Sequence, residues 1–240
     1  MKALKLIPNL LTGAGFLCGM TAVIVATQPF YYIDYVIYLI LAAGFFDFID
    51  GFAARLLKAQ SEFGKQFDSL SDLVSFGIAP AMLIYAVLHS WIPETVFPST
   101  NSIFLAIPAV IYALATAIRL AVFNTDSRQT DNFRGIPSPA AALFVTTACL
   151  YWGNFSGDEN AVLQISITAI FAAVAMLIPI PFVSLKLKSA ASKFMAVLMI
   201  LAGTLFFVLF SFEGIALLIL LYMVASPAMF FFGRVFSDKT

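Results

Sequence analysis

Asp47-Phe48-Ile49-Asp50-Gly51-Phe52-Ala53-Ala54-Arg55 closes one long apolar segment, and Gly64, Asp68 and Asp72 open the next. A carboxylate inside an apolar span costs about 2.5–3.5 kcal/mol on insertion scales. Gathering Asp47, Asp50, Asp68 and Asp72 at the adjoining ends of two consecutive segments therefore requires that they face inward, toward something cationic.

The rest of the chain gives these acids their setting. Of 240 residues 62% are hydrophobic and 11% charged, against roughly 45–50% apolar content in soluble domains. The mean hydropathy is +0.98. The chain is expected to be an all-α integral membrane protein, a polytopic helical bundle. Apolar stretches of spanning length fall near 9–27, 33–57, 68–90, 102–123, 138–152, 161–179, 193–211 and 214–232, about eight transmembrane helices, the fifth being short. Lys2 and Lys5 precede the first stretch, yet no small-residue cleavage site follows, so this segment is expected to be retained. With the N-terminus inside, one side carries Lys2, Lys5, Arg55, Lys58, Lys65, Arg119, Arg128, Arg134, Lys186, Lys188, Lys193, Arg234 and Lys239, which is every Lys and Arg in the sequence. The opposite loops carry Asp34, Glu94, Asp158, Glu159 and Glu213. The positive-inside rule then places both termini, and the four aspartates, at the cytoplasmic face of the cell membrane. Pro80, Pro108 and Pro227 fall inside apolar spans and predict kinks.

Helical geometry turns the first half of the acidic run into a surface. At about 100° per residue, with Asp47 at zero, Asp50 lies near −60°, Ala54 near −20°, Gly51 near +40° and Arg55 near +80°. Asp68 and Asp72, four apart, form a second polar stripe with Ser75 on the same face. A turn through 58–65 would bring the two stripes face to face. Carboxylates so close repel unless a cation intervenes, and oxygen-only ligands select hard ions such as Mg²⁺ or Mn²⁺. Two divalent ions are the expected occupants. Gly51 and Ala54 leave room for a bulky ligand beside them, and Arg55 suits phosphate oxygens. Metals, open space and a guanidinium describe a pyrophosphate site.

From Asp47 to Asp72 the residues resemble the CDP-alcohol phosphotransferase signature at every fixed position and spacing. The resemblance implies transfer of a phosphoryl-alcohol group from a CDP-linked donor to a second alcohol, with release of CMP. It implies that Asp47, Asp50 and Asp68 hold metal, that Asp72 also contacts metal and is the catalytic base, and that Gly64 completes the CDP and pyrophosphate site with Asp50, Gly51, Ala54 and Arg55. Pro8-Asn9-Leu10-Leu11-Thr12 stands where the family places Asn and Thr near the nucleotide. A homodimer and a six-helix catalytic fold are implied too, giving a catalytic domain over 1–185 and two further C-terminal helices over 186–240. No nucleic-acid partner is expected.

Leu73-Val74-Ser75-Phe76-Gly77-Ile78-Ala79-Pro80, Arg119-Leu120-Ala121-Val122-Phe123-Asn124 and Phe133-Arg134-Gly135-Ile136-Pro137-Ser138-Pro139 resemble the phosphatidylserine synthase branch of that family. The donor is then expected to be CDP-diacylglycerol from the membrane lipid and the acceptor L-serine. Arg119, a charge inside an apolar span, is the first candidate for the serine carboxylate. Arg128 and Arg134 are rivals, with Ser75 and Asn124 completing the acceptor pocket. Two other readings stay open: the same fold acting on glycerol phosphate or inositol phosphate, and a cation-coupled transporter using the acids as an ion site.

Other features read as structural. Gly15-xxx-Gly19 suits close helix packing, and Ser138-Pro139 suits an N-cap with a first-turn proline. Cys18 and Cys149 lack metal-ligand spacing, and His89 lies at the end of its span remote from the acids.

Overall fold

A computed structural model of the chain describes residues 6–28, 32–91, 104–125, 133–153, 159–182 and 190–237. Helix α1 (Leu6–Ala26) buries Pro8, Thr12, Gly15, Gly19, Ala22 and Ala26, a repeat of three to four that draws one small-residue face along the helix. That face admits two neighbours at short range. Helix α2 (Ile33–Leu56) packs most extensively on it, and α3 (Glu62–Asp72) lies against it from the other side. A Cβ at Gly19 would fall 2.8 Å from Ser75 Cα, so only glycine lets the backbones approach this closely.

Between α2 and α3 the chain reverses in a few residues, with Lys58 in the left-handed region at φ 49°. Ser61 caps α3, its Oγ accepting from the Gly64 amide at 3.0 Å. After Asp72 the helix widens into a π turn, Leu73–Ile78, before continuing as α4 (Ala79–Trp91). The cause is legible in Pro80, which has no N–H to offer the Phe76 carbonyl one turn back. The Tyr112 hydroxyl donates to that carbonyl at 2.9 Å instead. Tyr112 belongs to α5 (Ile107–Thr125) and is fully buried. Pro108 opens α5 rather than kinking it, because an amide is not needed in a first turn. Pro227 lies inside α9.

Helices α6 (Ser138–Gly153) and α7 (Glu159–Leu177) complete the core with α4 and α5. The core is rich in alanine, including Ala79, Ala115, Ala141, Ala169 and Ala172. Two short extended pieces, β1 (Phe133–Arg134) and β2 (Pro181–Phe182), pair antiparallel and clamp the entry of α6 to the exit of α7. Helices α8 (Ala190–Phe210) and α9 (Gly214–Ser237) fold back on each other: a Cβ at Gly203 would meet Leu218 Cδ2 at 3.2 Å.

Six helices among the described residues are long and apolar enough to cross a membrane. The fold is thus a polytopic helical membrane protein, but length and apolarity do not return the expected eight. Ser138–Trp152 is too short to count, and Val197–Ala228 runs as one apolar stretch through the α8–α9 turn.

Candidate active site

The small face of α1 is what allows α2 and α3 to present their acids to one another. Asp47, Asp50 and Asp68 each offer a carboxylate oxygen, and these atoms all lie within 4.8 Å of one another. Asp50 is the most enclosed, 6% exposed, with the Thr12 hydroxyl donating to its Oδ2 at 2.5 Å. Asp47 and Asp68 are within hydrogen-bonding reach through their carboxyl groups, so the pair holds either a shared proton or a cation. Asp72 stands one turn further along α3, outside this triad but within electrostatic reach of all three acids and of Arg119. The described geometry thus supplies three clustered oxygen ligands and a fourth acid set apart.

Beside the triad opens a cleft of about 400 Å³. Asn9, Thr12, Asp50, Gly51, Ala54, Gly64 and Asp68 line it, so most of the residues expected at the nucleotide share one wall. A Cβ at Gly64 would come within 3.1 Å of Asn9 Oδ1 and Ser61 Oγ, which is why glycine occupies the point where α1 and α3 converge. Arg55 is exposed beside the cleft, its Nη1 lying 3.5 Å from where a Gly51 Cβ would stand. The remaining lining belongs to no motif of the sequence: Ala59, Gln60, Ser61, Glu62 and Lys65 bring the start of α3 to the same space. Its readable signal is the Ser61-x-x-Gly64 cap. A helix N-terminus there adds amide donors suited to phosphate.

On the other side of Asp72, Arg119 reaches in from α5. Its Nη1 donates to Ser138 Oγ at 3.3 Å, while its Nε is buried with no hydrogen-bond partner. Asp72 is the charged neighbour it faces.

The family described as CDP-alcohol phosphatidyltransferase matches residues 5–180, which contain the triad, the cleft and Arg119. The chain belongs to this family. Among relatives, a CDP-diacylglycerol–serine O-phosphatidyltransferase of Bacillus subtilis (strain 168) is 35% identical over 138 residues, 57% of this chain and 71% of the relative. One of the same name from Helicobacter pylori (strain J99) is 35% identical over 152 residues, 62% of this chain and 60% of the relative. A third, from Methanocaldococcus jannaschii, is 38% identical over 111 residues, 46% of this chain and 48% of the relative. The matches therefore span between about half and about seven tenths of these relatives' lengths.

For this family member the expected acceptor residues divide. Ser75 is 1% exposed and its hydroxyl donates to the Gly15 carbonyl at 3.3 Å. It joins the π turn to α1 instead of facing an open pocket. Asn124 donates from Nδ2 to Ser69 Oγ at 2.6 Å and its carbonyl accepts from Lys65 Nζ at 2.9 Å, tying the end of α5 to α3. Arg128 lies outside the described residues, and of Arg134 only the backbone is described. Ser138 does not take the N-cap place that its sequence setting suits. The Ala141 amide bonds the Pro137 carbonyl, so Ser138 falls inside the first turn and its hydroxyl turns to Arg119.

Proposed function

We propose that this chain transfers the phosphatidyl group of CDP-diacylglycerol to the hydroxyl of L-serine. The observation that carries the reading is the acidic triad flanking a cleft lined by the family's own signature residues. The activity printed for the relatives supplies the acceptor. The serine oxygen forms a bond to the phosphorus that bears diacylglycerol, the bond from that phosphorus to the CMP oxygen breaks, and CMP leaves. Asp72, beyond the triad, takes the hydroxyl proton. Arg119, whose buried Nε–H has no partner beside its bond to Ser138, holds the serine carboxylate.

The donor set at the triad is all oxygen and closely spaced, which fits Mg²⁺ or Mn²⁺. Asp47, Asp50 and Asp68, with Asp72 as a further ligand, would hold two such ions. Bound divalent ions supply neutralisation of the pyrophosphate charge. On the cleft wall Asn9, Thr12, Gly51, Ala54 and Gly64 leave space for the nucleotide diphosphate, and Arg55 and Lys65 face its negative charge.

Residues 1–185 then form the catalytic domain and 186–240 add a spanning hairpin, making eight spans with both termini and the cleft in the cytoplasm. The α8–α9 contact at Gly203 and Leu218 supports two spans in place of one. Homodimerisation is part of the same reading. The test is an assay of purified protein with CDP-diacylglycerol, Mg²⁺ or Mn²⁺ and a panel of labelled alcohols. CMP and phosphatidylserine are expected in equal amounts with serine alone. Reaction with glycerol phosphate in place of serine would overturn the reading. So would an absence of turnover in detergent, where no sealed compartment exists for transport.

A further inference from the structure

Arg119 poses a problem that the proposed function does not resolve. A guanidinium carries five N–H donors in a rigid plane, and a charged donor left buried without a partner is costly enough that a bound ligand is expected to meet it. Here Nη1 is held by Ser138 Oγ at 3.3 Å and Nε has nothing. Nη1 lies on the Cδ side of the plane, whereas Nε–H and one Nη2–H point together along the other edge. Ser138 thus binds the edge that a bidentate ligand does not need, while Nε on the two-pronged edge is left without a partner. That edge matches one carboxylate bidentately.

Ser138 itself is rigidly placed. It is 2% exposed and directly follows a loop fixed at three points. The Gly135 amide donates to the Ile180 carbonyl at 3.0 Å, and the Ile136 amide to the Ala175 carbonyl at 3.1 Å. Gly135, at φ +76°, also lies so close to the Met176 carbonyl that no Cβ fits. The hydroxyl is therefore delivered to Arg119 by backbone contacts with the end of α7 and the residues just after it, and not by capping its own helix.

We propose that Ser138 is a positioning residue for acceptor recognition, locking the Arg119 guanidinium so that its Nε–Nη2 edge receives the carboxylate of an amino-acid acceptor. The inference rests on the functional reading above and assigns Ser138 no contact with substrate. Without the hydroxyl, the guanidinium keeps its charge and loses its fixed orientation.

The test is steady-state kinetics of Ser138→Ala, Ser138→Thr, Arg119→Ala and the Ser138→Ala/Arg119→Ala double variant. Ser138→Ala is expected to raise KM for serine roughly five- to tenfold, leaving kcat and KM for CDP-diacylglycerol near wild type. Threonine should restore the serine KM. In the Arg119→Ala background Ser138→Ala should add nothing, because its effect passes through the guanidinium. Should the alanine variant fail to accumulate, Ser138→Cys, similar in size and a weaker hydrogen-bonding partner, is expected to show the same rise in KM. An unchanged serine KM, or an equal rise in both backgrounds, would overturn the inference while leaving serine as the acceptor. A wild-type enzyme that ignored serine and used another alcohol would defeat the functional reading and this inference with it.

Discussion

Gly64 sits at the tightest point of the cleft wall, where any side chain must press on Asn9 and on the Ser61 cap at 3.1 Å. Gly64→Ala is therefore expected to overpack the nucleotide side, at a cost of about 1–3 kcal/mol. It should raise KM for CDP-diacylglycerol more than it lowers kcat, as steady-state kinetics at saturating serine would show. Asp72 makes the opposite prediction. Standing outside the triad yet facing it and Arg119, it is assigned proton removal in the proposed function, not nucleotide binding. Asp72→Asn should lower kcat by about 10²–10⁴ with donor binding retained, checked by turnover alongside binding of a CDP-diacylglycerol analogue. Asp72 was legible in the sequence because a carboxylate at the end of an apolar span is too costly to persist without a purpose, and Gly64 only because the family signature has a glycine at its place. Ser138 was not, because Ser-Pro before a helix has a common structural meaning and its partner lies 19 residues away.

The π turn shows what is legible at the level of an element. Pro80 announced an irregularity in the span, and the physics that frees the Phe76 carbonyl is local. The group that satisfies it is not: Tyr112 comes from another helix and is 36 residues distant in sequence. Nothing in the pattern of α5 distinguishes it from other buried aromatics. Its consequence for chemistry is positional, since the π turn follows Asp72 directly and sets the rotation of α3 against α4. Tyr112→Phe would leave the Phe76 carbonyl buried and unpaired, costing about 1–3 kcal/mol. The variant should melt at a lower temperature and lose kcat, with serine KM little changed, whereas Tyr112→Leu should also disturb packing. A Tyr112→Phe enzyme with wild-type melting temperature and kcat would show that the π turn needs no anchor. Ser75 teaches a related lesson. Its place on the face of Asp68 and Asp72 suggested the acceptor pocket, but the approach of α1 at Gly19 claims that face first.

Across the whole molecule, the ends of α3, α5, α6 and α7 come together. Lys65 reaches the end of α5, Arg119 meets the start of α6, and the Gly135 loop meets the exit of α7. Among the described residues, the basic Lys65 and Arg119 therefore lie toward one face, the arrangement alternating spans would give. At the opposite face Tyr38 packs edge-on against Phe212 at 5.1 Å, joining α2 to the α8–α9 turn. Hydropathy takes Val197–Ala228 as one stretch although Glu213 interrupts it, whereas the sequence reading divides it into spans at 193–211 and 214–232. The turn at Ser211, with φ 52°, argues for twice. Single cysteines read by a membrane-impermeant maleimide separate the two cases. Cys149 is buried and Cys18 partly so, leaving little background. Gln28, Lys58 and Ser211 are all exposed. Gln28→Cys and Ser211→Cys should label in right-side-out vesicles and Lys58→Cys only in inverted ones. If the stretch crossed once, Ser211 would lie near mid-bilayer and react from neither side. Labelling of Lys58→Cys from outside would reverse the orientation and place the cleft away from the compartment that supplies nucleotide and serine.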